Sequence, residues 1–120
     1  HGGGSIINVL SVSALKPSPY QGFYAATKAA LHALTSVMAA EWAAMGIRVN
    51  ALAPGSFHSD MFDNSAKVLP GFMEGSIAKT LQKRVAETDE IIGSVMYLAS
   101  DMSSYTTGST LVTDGGYLVL

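Results

Sequence analysis

Hydrophobic and polar residues follow patterns that predict regular structure in the first half of the chain. A short β-branched, apolar run at 5–12, preceded by three glycines, is typical of a buried strand in a parallel sheet. From about Tyr20 to Met45 the pattern becomes helical, and Gly46 stands where a C-terminal cap belongs. This helix is nearly apolar all round, so we expect both of its faces to be covered. Its polar exceptions are Lys28, His32 and Glu41.

The second half of the chain continues the alternation of strands and helices. Residues 47–55 form a second predicted buried strand, which a Pro-Gly pair ends. Residues 56–87 mix Pro, Gly, Ser and charges, as in a mobile loop or lid with short helical patches. Thr88 is the predicted N-cap of a further helix, and 109–116 is a closing strand and turn. This order indicates an α/β fold with a parallel sheet and right-handed crossovers. The last helix carries an apolar stripe of Ile91, Ile92, Val95, Met96 and Ala99.

The composition is more apolar than a small domain requires. The chain has 120 residues, of which 48% are hydrophobic and 13% are charged. Soluble domains usually carry roughly 25% charged residues. A chain of this length normally forms one domain with one core. We therefore expect the surplus apolar residues to face either a missing segment or a partner subunit.

Charge and side-chain chemistry disfavour several classes of protein. The net charge is -2 and no block rich in Lys or Arg occurs, which argues against nucleic-acid binding. No apolar run approaches the roughly 20 residues of a membrane span, and no signal peptide opens the chain, so we expect a soluble, cytoplasmic protein. The chain lacks cysteine and its three histidines are scattered, so we expect no structural metal. The histidines are His1, His32 and His58.

One face of the first predicted helix carries an acid/base pair. Tyr24 and Lys28 are four residues apart and follow a strand whose end carries Ser11. Ligands of open α/β sheets bind at the carboxyl ends of strands. A phenol is a poor base at neutral pH, but a neighbouring ammonium favours its charged form. A serine hydroxyl could then hold a substrate oxygen while the tyrosine transfers a proton. This spacing is weak evidence alone, and Ser13 is an alternative to Ser11.

The whole chain resembles the latter half of the short-chain dehydrogenase/reductase family. Ser11, Tyr24 and Lys28 match the family's serine and its Tyr-x-x-x-Lys motif, with the usual thirteen-residue gap from serine to tyrosine. The stretch "GIRVNALAPGSFHSDM" resembles the strand and Pro-Gly turn that cradle the nicotinamide. The stretch "DEIIGSVMYLASDMSSYTTGSTLVTDGG" resembles the family's closing helix and strand. The implied fold is a Rossmann-like, doubly wound parallel sheet, of which 1–120 would be the C-terminal part of a single domain. The chain is similar to 3-oxoacyl-acyl carrier protein reductases and to sugar or alcohol dehydrogenases.

The resemblance also implies a reaction, namely hydride transfer between NAD or NADP and a carbonyl or secondary alcohol. Tyr24 would be the general acid in reduction and the base in oxidation. Lys28 would stabilise the phenolate and hydrogen-bond the nicotinamide ribose, and Ser11 would orient the substrate oxygen. The intact protein would be a homotetramer or homodimer, assembled through its apolar helices and terminal strand. The residues implied to contact the cofactor are Tyr24, Lys28, Pro54, Gly55, Phe57 and Ser59.

The sequence departs from the family's pattern at three positions. Ser59 replaces a usual threonine but keeps its hydroxyl, whereas Thr88 and Thr106 replace a proline and an isoleucine away from the chemistry. The family's phosphate-binding loop and the residue that selects NAD or NADP belong to a preceding half, so cofactor choice stays open. Substrate choice in this family depends on the segments that correspond here to 14–23 and 56–87.

Two other classes of function deserve comparison. "HGGG" at 1–4 is an oxyanion-hole signature of some lipases and esterases, but no G-x-S-x-G nucleophile motif accompanies it. The fold could also serve as a noncatalytic scaffold. Loss of Tyr24 or Lys28 would have indicated a scaffold, and both residues are present.

Overall fold

A computed structural model describes residues 2–120, which form a three-stranded parallel sheet with helices. The strands lie in the order β1-β2-β3, which confirms the predicted parallel α/β architecture. Short 3₁₀ turns occupy 12–14, 43–45, 88–91, 101–103 and 117–119. The main elements are β1 (Gly4–Val9), α1 (Gly22–Trp42), β2 (Ile47–Pro54), α2 (Asp60–Val68), α3 (Phe72–Ala78), α4 (Ile92–Ala99) and β3 (Thr110–Thr113).

The central strand β2 carries the core. Residues 49–53 of this strand are each at most 2% exposed, as expected for a strand with neighbours on both edges and helices on both faces. Leu10, just beyond β1, packs with Ala51 and Ala53 under Leu31 of α1. The near-continuous apolar run that predicted this strand therefore reflects burial from every side.

Helices α1 and α4 lie on opposite faces of the sheet. The Asn8 amide of β1 donates to the Thr35 hydroxyl of α1 at 3.0 Å, whereas the Ser5 hydroxyl donates to the Leu98 carbonyl oxygen of α4 at 2.6 Å. Positions 5 and 8 of one strand differ in parity, so their side chains point to opposite faces. The sheet is therefore doubly wound, as predicted.

The same geometry corrects the prediction that all crossovers are right-handed. Both crossovers move to the next strand in the same direction, yet their helices lie on opposite faces, so they have opposite hands. The β2-to-β3 connection contains α2 and α3 as well as α4. A connection of this length is less constrained by strand twist than a short strand–helix–strand unit.

Within the described part of the chain only one face of helix α1 is covered, so the expectation of two covered faces stays a prediction for the intact protein. Ala25, Thr35 and Ala39 are buried towards the sheet, and these small side chains allow close packing. Leu34 and Val37 on the other side are 50% and 49% exposed. The apolar outer face is thus the surplus apolar surface that the composition indicates.

The turn that follows α1 lies close to the main chain just before β1, and a glycine stands on each side of this contact. Gly46 has φ of +73° and caps the 3₁₀ turn that follows α1, which confirms its predicted role. A Cβ at Gly3 would lie 2.1 Å from the Gly46 carbonyl oxygen. Gly3 is therefore required by the close approach of two main-chain segments, which accounts for this glycine without an oxyanion hole.

The segment 56–87, predicted as a loop or lid with short helical patches, contains two short helices, α2 and α3. Ser59 caps the first by accepting a hydrogen bond from the Phe62 amide. Thr88 is not an N-cap, since Glu87 and Glu90 form a capping box at the 3₁₀ turn before α4. The apolar stripe of α4 also points mostly outwards: Ile92 and Met96 are 56% and 60% exposed, whereas Leu98 is buried.

An ion pair ties this capping box to the preceding segment, and its strength should depend on pH. Both Arg84 guanidinium nitrogens lie 2.7 Å from Glu90 carboxylate oxygens, and the Glu87 amide donates to the same carboxylate at 2.7 Å. The Arg84 hydrogen bonds, followed by that of the Glu87 amide, lower the pKa of Glu90 to about 2. A depressed carboxyl pKa stabilises the fold above the ordinary value of 4.5, and this stabilisation is lost as the pH falls towards 2.

We expect Glu90→Gln to lower the urea midpoint of the full-length protein at pH 7 and to lower it much less near pH 3. The matched control is Glu41→Gln, an exposed glutamate of α1, which should change the midpoint little at either pH. If Glu90→Gln lowered the urea midpoint equally at both pH values, the destabilisation would come from altered side-chain packing and not from the lost charge.

Candidate active site

Tyr24 and Lys28 lie together at the start of α1, beside the carboxyl end of β1. The Lys28 ammonium donates to the Val9 carbonyl oxygen at 3.0 Å and lies 5.7 Å from the centre of the Tyr24 ring. Tyr24 is 46% exposed, so its hydroxyl can reach a bound molecule. The Val9 contact holds the lysine charge close to the phenol and leaves the ammonium further hydrogen atoms to donate.

The two candidate serines have different surroundings. Ser13 is buried, and its hydroxyl donates to the Gln21 side-chain oxygen at 3.1 Å, which closes the loop that precedes α1. Ser11 caps the 3₁₀ turn by accepting a hydrogen bond from the Ser13 amide at 3.2 Å. The Ser11 hydroxyl can still donate its own hydrogen, so Ser11 is the better placed serine to contact a substrate oxygen.

Pro54 ends β2 and Gly55 follows it, at the same end of the sheet as Ser11. Val9 of β1 pairs in register with Leu52 of β2, and the Leu10 amide donates to the Leu52 carbonyl oxygen at 2.7 Å, so the segments that follow β1 and β2 leave the sheet at one end. The Gly55 amide donates to the Thr113 carbonyl oxygen at 2.9 Å. A Cβ on Gly55 would lie 2.8 Å from the Asp114 Cα, so only glycine allows this approach between the ends of β2 and β3. The three strand ends thus form one edge, where ligands of α/β sheets bind.

Phe57 and Ser59 occupy the beginning of the segment that follows this edge. Phe57 forms an isolated parallel bridge with Ala86, yet its own amide makes no hydrogen bond among the described residues. This amide is available to a ligand carbonyl. Ser59 is exposed, and its oxygen caps α2. A pocket of ≈ 160 Å³ adjoins Phe57, whereas Tyr24 and Lys28 are outside that pocket and lie on open surface.

Sequence reasoning missed a group of contacts that fixes the start of α2. His58 Nδ1 lies 2.7 Å from an Asp63 carboxylate oxygen, and the His58 ring meets Phe62 edge-on with centroids 6.0 Å apart. The Asp63 hydrogen bond raises the pKa of His58. The Thr88 hydroxyl donates to the His58 carbonyl oxygen at 2.6 Å, so the residue that replaces the family's proline ties two segments together. The sequence did not indicate the contact between His58 and Asp63, because a spacing of five residues in a Gly- and Ser-containing stretch matches no helical or strand pattern.

Comparison with known proteins identifies the family. A family model described as enoyl-(acyl carrier protein) reductase matches residues 1–118. The chain is 42% identical over 118 residues to an A-factor type γ-butyrolactone 1'-reductase (1S-forming) of Streptomyces virginiae, and 40% identical over 120 residues to a galactitol 2-dehydrogenase (L-tagatose-forming) of Cereibacter sphaeroides. Each match covers 98% of this chain. The chain belongs to the short-chain dehydrogenase/reductase family.

Solved structures support the same assignment. A gluconate 5-dehydrogenase from Burkholderia cenocepacia, crystallised with NADP and tartrate, matches with a TM-score of 0.93 and 37% identity over 99% of this chain. Short-chain dehydrogenases/reductases are NAD(P)-dependent oxidoreductases. This member spans about half the length of its relatives, covering 46% and 47% of the two curated proteins and 46% of the solved structure.

The described residues of this family member hold neither a cluster of metal ligands nor a membrane-spanning helix. Within residues 2–120, no three His, Asp or Glu side chains come together as metal ligands would. None of the helices in that range is both long and apolar enough to cross a membrane. His1 of the "HGGG" stretch lies outside the described residues, and Gly3 has the packing role given above.

Proposed function

We propose that the intact protein is an NAD(P)-dependent oxidoreductase that interconverts a carbonyl and a secondary alcohol, with Ser11, Tyr24 and Lys28 at its catalytic site. The observation that carries this proposal is the Lys28 ammonium, held by the Val9 carbonyl oxygen within 5.7 Å of the Tyr24 ring centre. A fixed positive charge favours the phenolate form that proton transfer requires. Reduction of carbonyls by the full-length protein with NADH and NADPH is the direct test.

In this proposal residues 1–120 are the C-terminal part of one short-chain dehydrogenase/reductase domain. Coverage of about half of each relative supports this placement. The outer edge of β1 supports it too, since β1 pairs only with β2 among the described strands. An open strand edge exposes unpaired main-chain groups, and a further strand beside β1 would pair them.

Each of the three side chains has one task in the proposed reaction. Ser11 donates a hydrogen bond to the carbonyl oxygen and fixes its position near the Tyr24 hydroxyl. Tyr24 gives its proton to that oxygen during reduction and takes it back during oxidation. Lys28 favours the deprotonated phenol through its charge. The nicotinamide cofactor, when bound, supplies or accepts the hydride.

The described residues offer donors that suit such a cofactor. Lys28 uses one donor on Val9 and has others for ribose hydroxyls. The unpaired Phe57 amide, just after Pro54 and Gly55, can donate to a carboxamide oxygen. The Ser59 hydroxyl can donate while it continues to cap α2. NADP differs from NAD only by a phosphate on the ribose of the adenosine part, and these residues do not select between the two cofactors.

Two relatives suggest a substrate class. One is named for the polyol galactitol, and the other is a gluconate dehydrogenase bound to tartrate. We propose a small polyhydroxylated alcohol or sugar acid, and its carbonyl counterpart, as the substrate pair. A screen of full-length enzyme against sugars, ketones, steroids and acyl thioesters would reveal a different class directly.

The two serines should respond differently to substitution in the full-length enzyme. We expect Ser11→Ala to lower kcat by about 10²-fold, because it removes a donor to the developing oxyanion. Ser13→Ala should lower thermal stability more than kcat, because it removes the hydrogen bond between the buried Ser13 hydroxyl and Gln21 that closes the loop before α1. Steady-state kinetics and thermal unfolding of both variants provide the comparison. A larger loss of kcat for Ser13→Ala would transfer the assignment to Ser13.

We also propose that the intact protein is a homodimer or homotetramer. The support is the apolar outer surface of α1 and α4, where Leu34, Val37, Ile92 and Met96 are each about half exposed. We expect Val37→Glu to lower the mass that light scattering gives for the full-length enzyme. Tyr105→Glu is the matched control, since that exposed tyrosine lies on neither helix. A wild-type enzyme that is an active monomer would contradict the proposal.

A noncatalytic scaffold is the second candidate. The one observation that favours a scaffold is that the chain spans about half the length of its relatives, since half of a domain could be kept for assembly alone. The presence of both Tyr24 and Lys28 argues against it. A full-length protein with no carbonyl turnover across the screen would favour the scaffold.

A further inference from the structure

A second pocket, of ≈ 280 Å³, is lined by neither Tyr24 nor Lys28. It is bordered by the loop 16–19 before α1, by the residue that caps the end of α3, and by the last 3₁₀ turn of the chain. Its lining residues are Lys16, Pro17, Ser18, Pro19, Lys79, Tyr117 and Leu120. The proposed reaction assigns no role to any of these side chains.

Lys16 is held in a defined position at the edge of this pocket. Its ammonium donates to a main-chain oxygen of Leu120 at 2.5 Å and lies 5.0 Å from the centre of the Tyr117 ring. The Ser18 and Tyr117 hydroxyl oxygens are 3.3 Å apart. These contacts join segments about a hundred residues apart in sequence, so the lysine is oriented before any ligand binds.

The two charged side chains that line the pocket are both basic. Lys16 and Lys79 both line it, and no Asp or Glu side chain is among its lining residues. The Lys79 ammonium makes no hydrogen bond or ion pair to any residue in 2–120, and Lys79 lines the pocket. Two ammonium groups and two hydroxyls surround apolar walls made by prolines and Leu120. This set of donors matches a carboxylate or a phosphate.

The pocket lies at the tip of the segment that connects Ser11 to Tyr24. The Ser13–Gln21 hydrogen bond closes the base of that segment, so Lys16 and Ser18 stand at its far end. We propose that this pocket binds an anionic oxygen group, a carboxylate or a phosphate, through Lys16 and Lys79. Where that group is part of the substrate, the inference rests on the proposed function and makes the two lysines determinants of specificity for acidic substrates.

Direct binding tests the pocket without any assumption about turnover. Full-length protein saturated with NADP is titrated by calorimetry with D-gluconate, with inorganic phosphate, and with D-sorbitol, which replaces the carboxylate of gluconate by a hydroxymethyl group. We expect saturable binding of at least one anion, with affinity reduced roughly tenfold in Lys79→Met. Lys79→Arg should retain binding, and Lys67→Met, an exposed lysine of α2, is the control for lost charge.

Lys16→Met extends the test but also removes the contacts to Leu120 and Tyr117. If Lys16→Met misfolds, Lys79→Met still decides the test, because the Lys79 side chain makes no contact comparable to those of Lys16 with Leu120 and Tyr117. Wild-type protein that binds neither anion, or binds both with affinity unchanged in Lys79→Met, would overturn the proposal.

A kinetic measurement distinguishes a substrate carboxylate from a free anion. L-Sorbose differs from 5-keto-D-gluconate only by a hydroxymethyl group in place of the carboxylate. Lys79→Met should raise KM for 5-keto-D-gluconate roughly tenfold with kcat and the L-sorbose KM unchanged, if the anion is part of the substrate. Binding of phosphate alone would identify a free anion as the ligand. Lysine-dependent anion binding without any carbonyl turnover would refute the proposed function and leave the pocket supported.

Discussion

Replacing Tyr24 by phenylalanine in the full-length enzyme should lower kcat by about 10²- to 10⁴-fold while NAD(P)H affinity stays within a few-fold of wild type. The substitution removes the hydroxyl to which the proposal assigns the proton transfer and keeps the aromatic ring at the start of α1. Lys28 would remain on the Val9 carbonyl oxygen, so the cofactor side of the site would be intact. Steady-state kinetics, with cofactor titration followed by fluorescence, measures both quantities.

The matched control for this experiment is Tyr105→Phe, because Tyr105 is fully exposed outside the site. It should leave turnover unchanged. Near-normal turnover in Tyr24→Phe would show that another group transfers the proton, and the assignment of the site would fail.

Lys28→Met gives a different result if the proposed roles are right. It should lower kcat and weaken cofactor binding together, because the same ammonium favours the phenolate and can donate to the ribose. An effect on turnover alone, with unchanged cofactor affinity, would remove the ribose contact from the proposal.

The sequence predicted the elements whose patterns depend on burial in a sheet. Residues 47–55 are apolar nearly throughout because β2 has a strand on each edge and a helix on each face, and the structure places β2 at Ile47–Pro54. Gly46 was predictable as a cap because few other residues adopt a positive φ. The i, i+4 spacing of Tyr24 and Lys28 likewise specifies one helical face once α1 is known to be a helix.

Features that depend on distant contacts could not be predicted in this way. Nothing local indicates that Ser13 pairs with Gln21, so the residues alone left Ser13 as an alternative, and the preference for Ser11 came from the resemblance to the family. The exposure of Leu34 and Met96 depends on which surfaces lie beyond this chain, whereas helical periodicity describes only the helix itself. The position of Lys16 depends on Tyr117, about a hundred residues later in the chain. The opposite hands of the crossovers follow from a long connection that no local pattern describes.

The isolated 120-residue chain should neither stay soluble nor bind a cofactor. The exposed surface of the described part includes large apolar side chains on both sheet faces and along α1, such as Val9 at 52% and Leu34 at 50%. The edge of β1 offers unpaired main-chain groups to other chains, which is a known route to aggregation. In the family, a preceding half supplies the strand for that edge and the loop for the cofactor's phosphates.

Cofactor binding should fail for a separate reason. The described donors, Lys28 and the Phe57 amide, suit the nicotinamide end only, and within residues 2–120 no glycine-rich turn precedes a helix N-terminus that could bind the pyrophosphate. We therefore expect calorimetric titration of the purified 120-residue chain with NADH and NADPH to show no saturable heat, and no carbonyl reduction to occur.

A variant of the isolated chain separates these two causes. Val9→Lys places a charge at the end of the open strand, so the soluble fraction should increase, whereas cofactor binding should remain undetectable because the phosphate contacts are still missing. Full-length protein under the same conditions is the positive control and should bind at least one cofactor. Saturable micromolar binding by a soluble, monomeric 120-residue chain would show that the nicotinamide end alone supplies most of the affinity. The phosphate-binding contribution assigned to the preceding half would then be wrong.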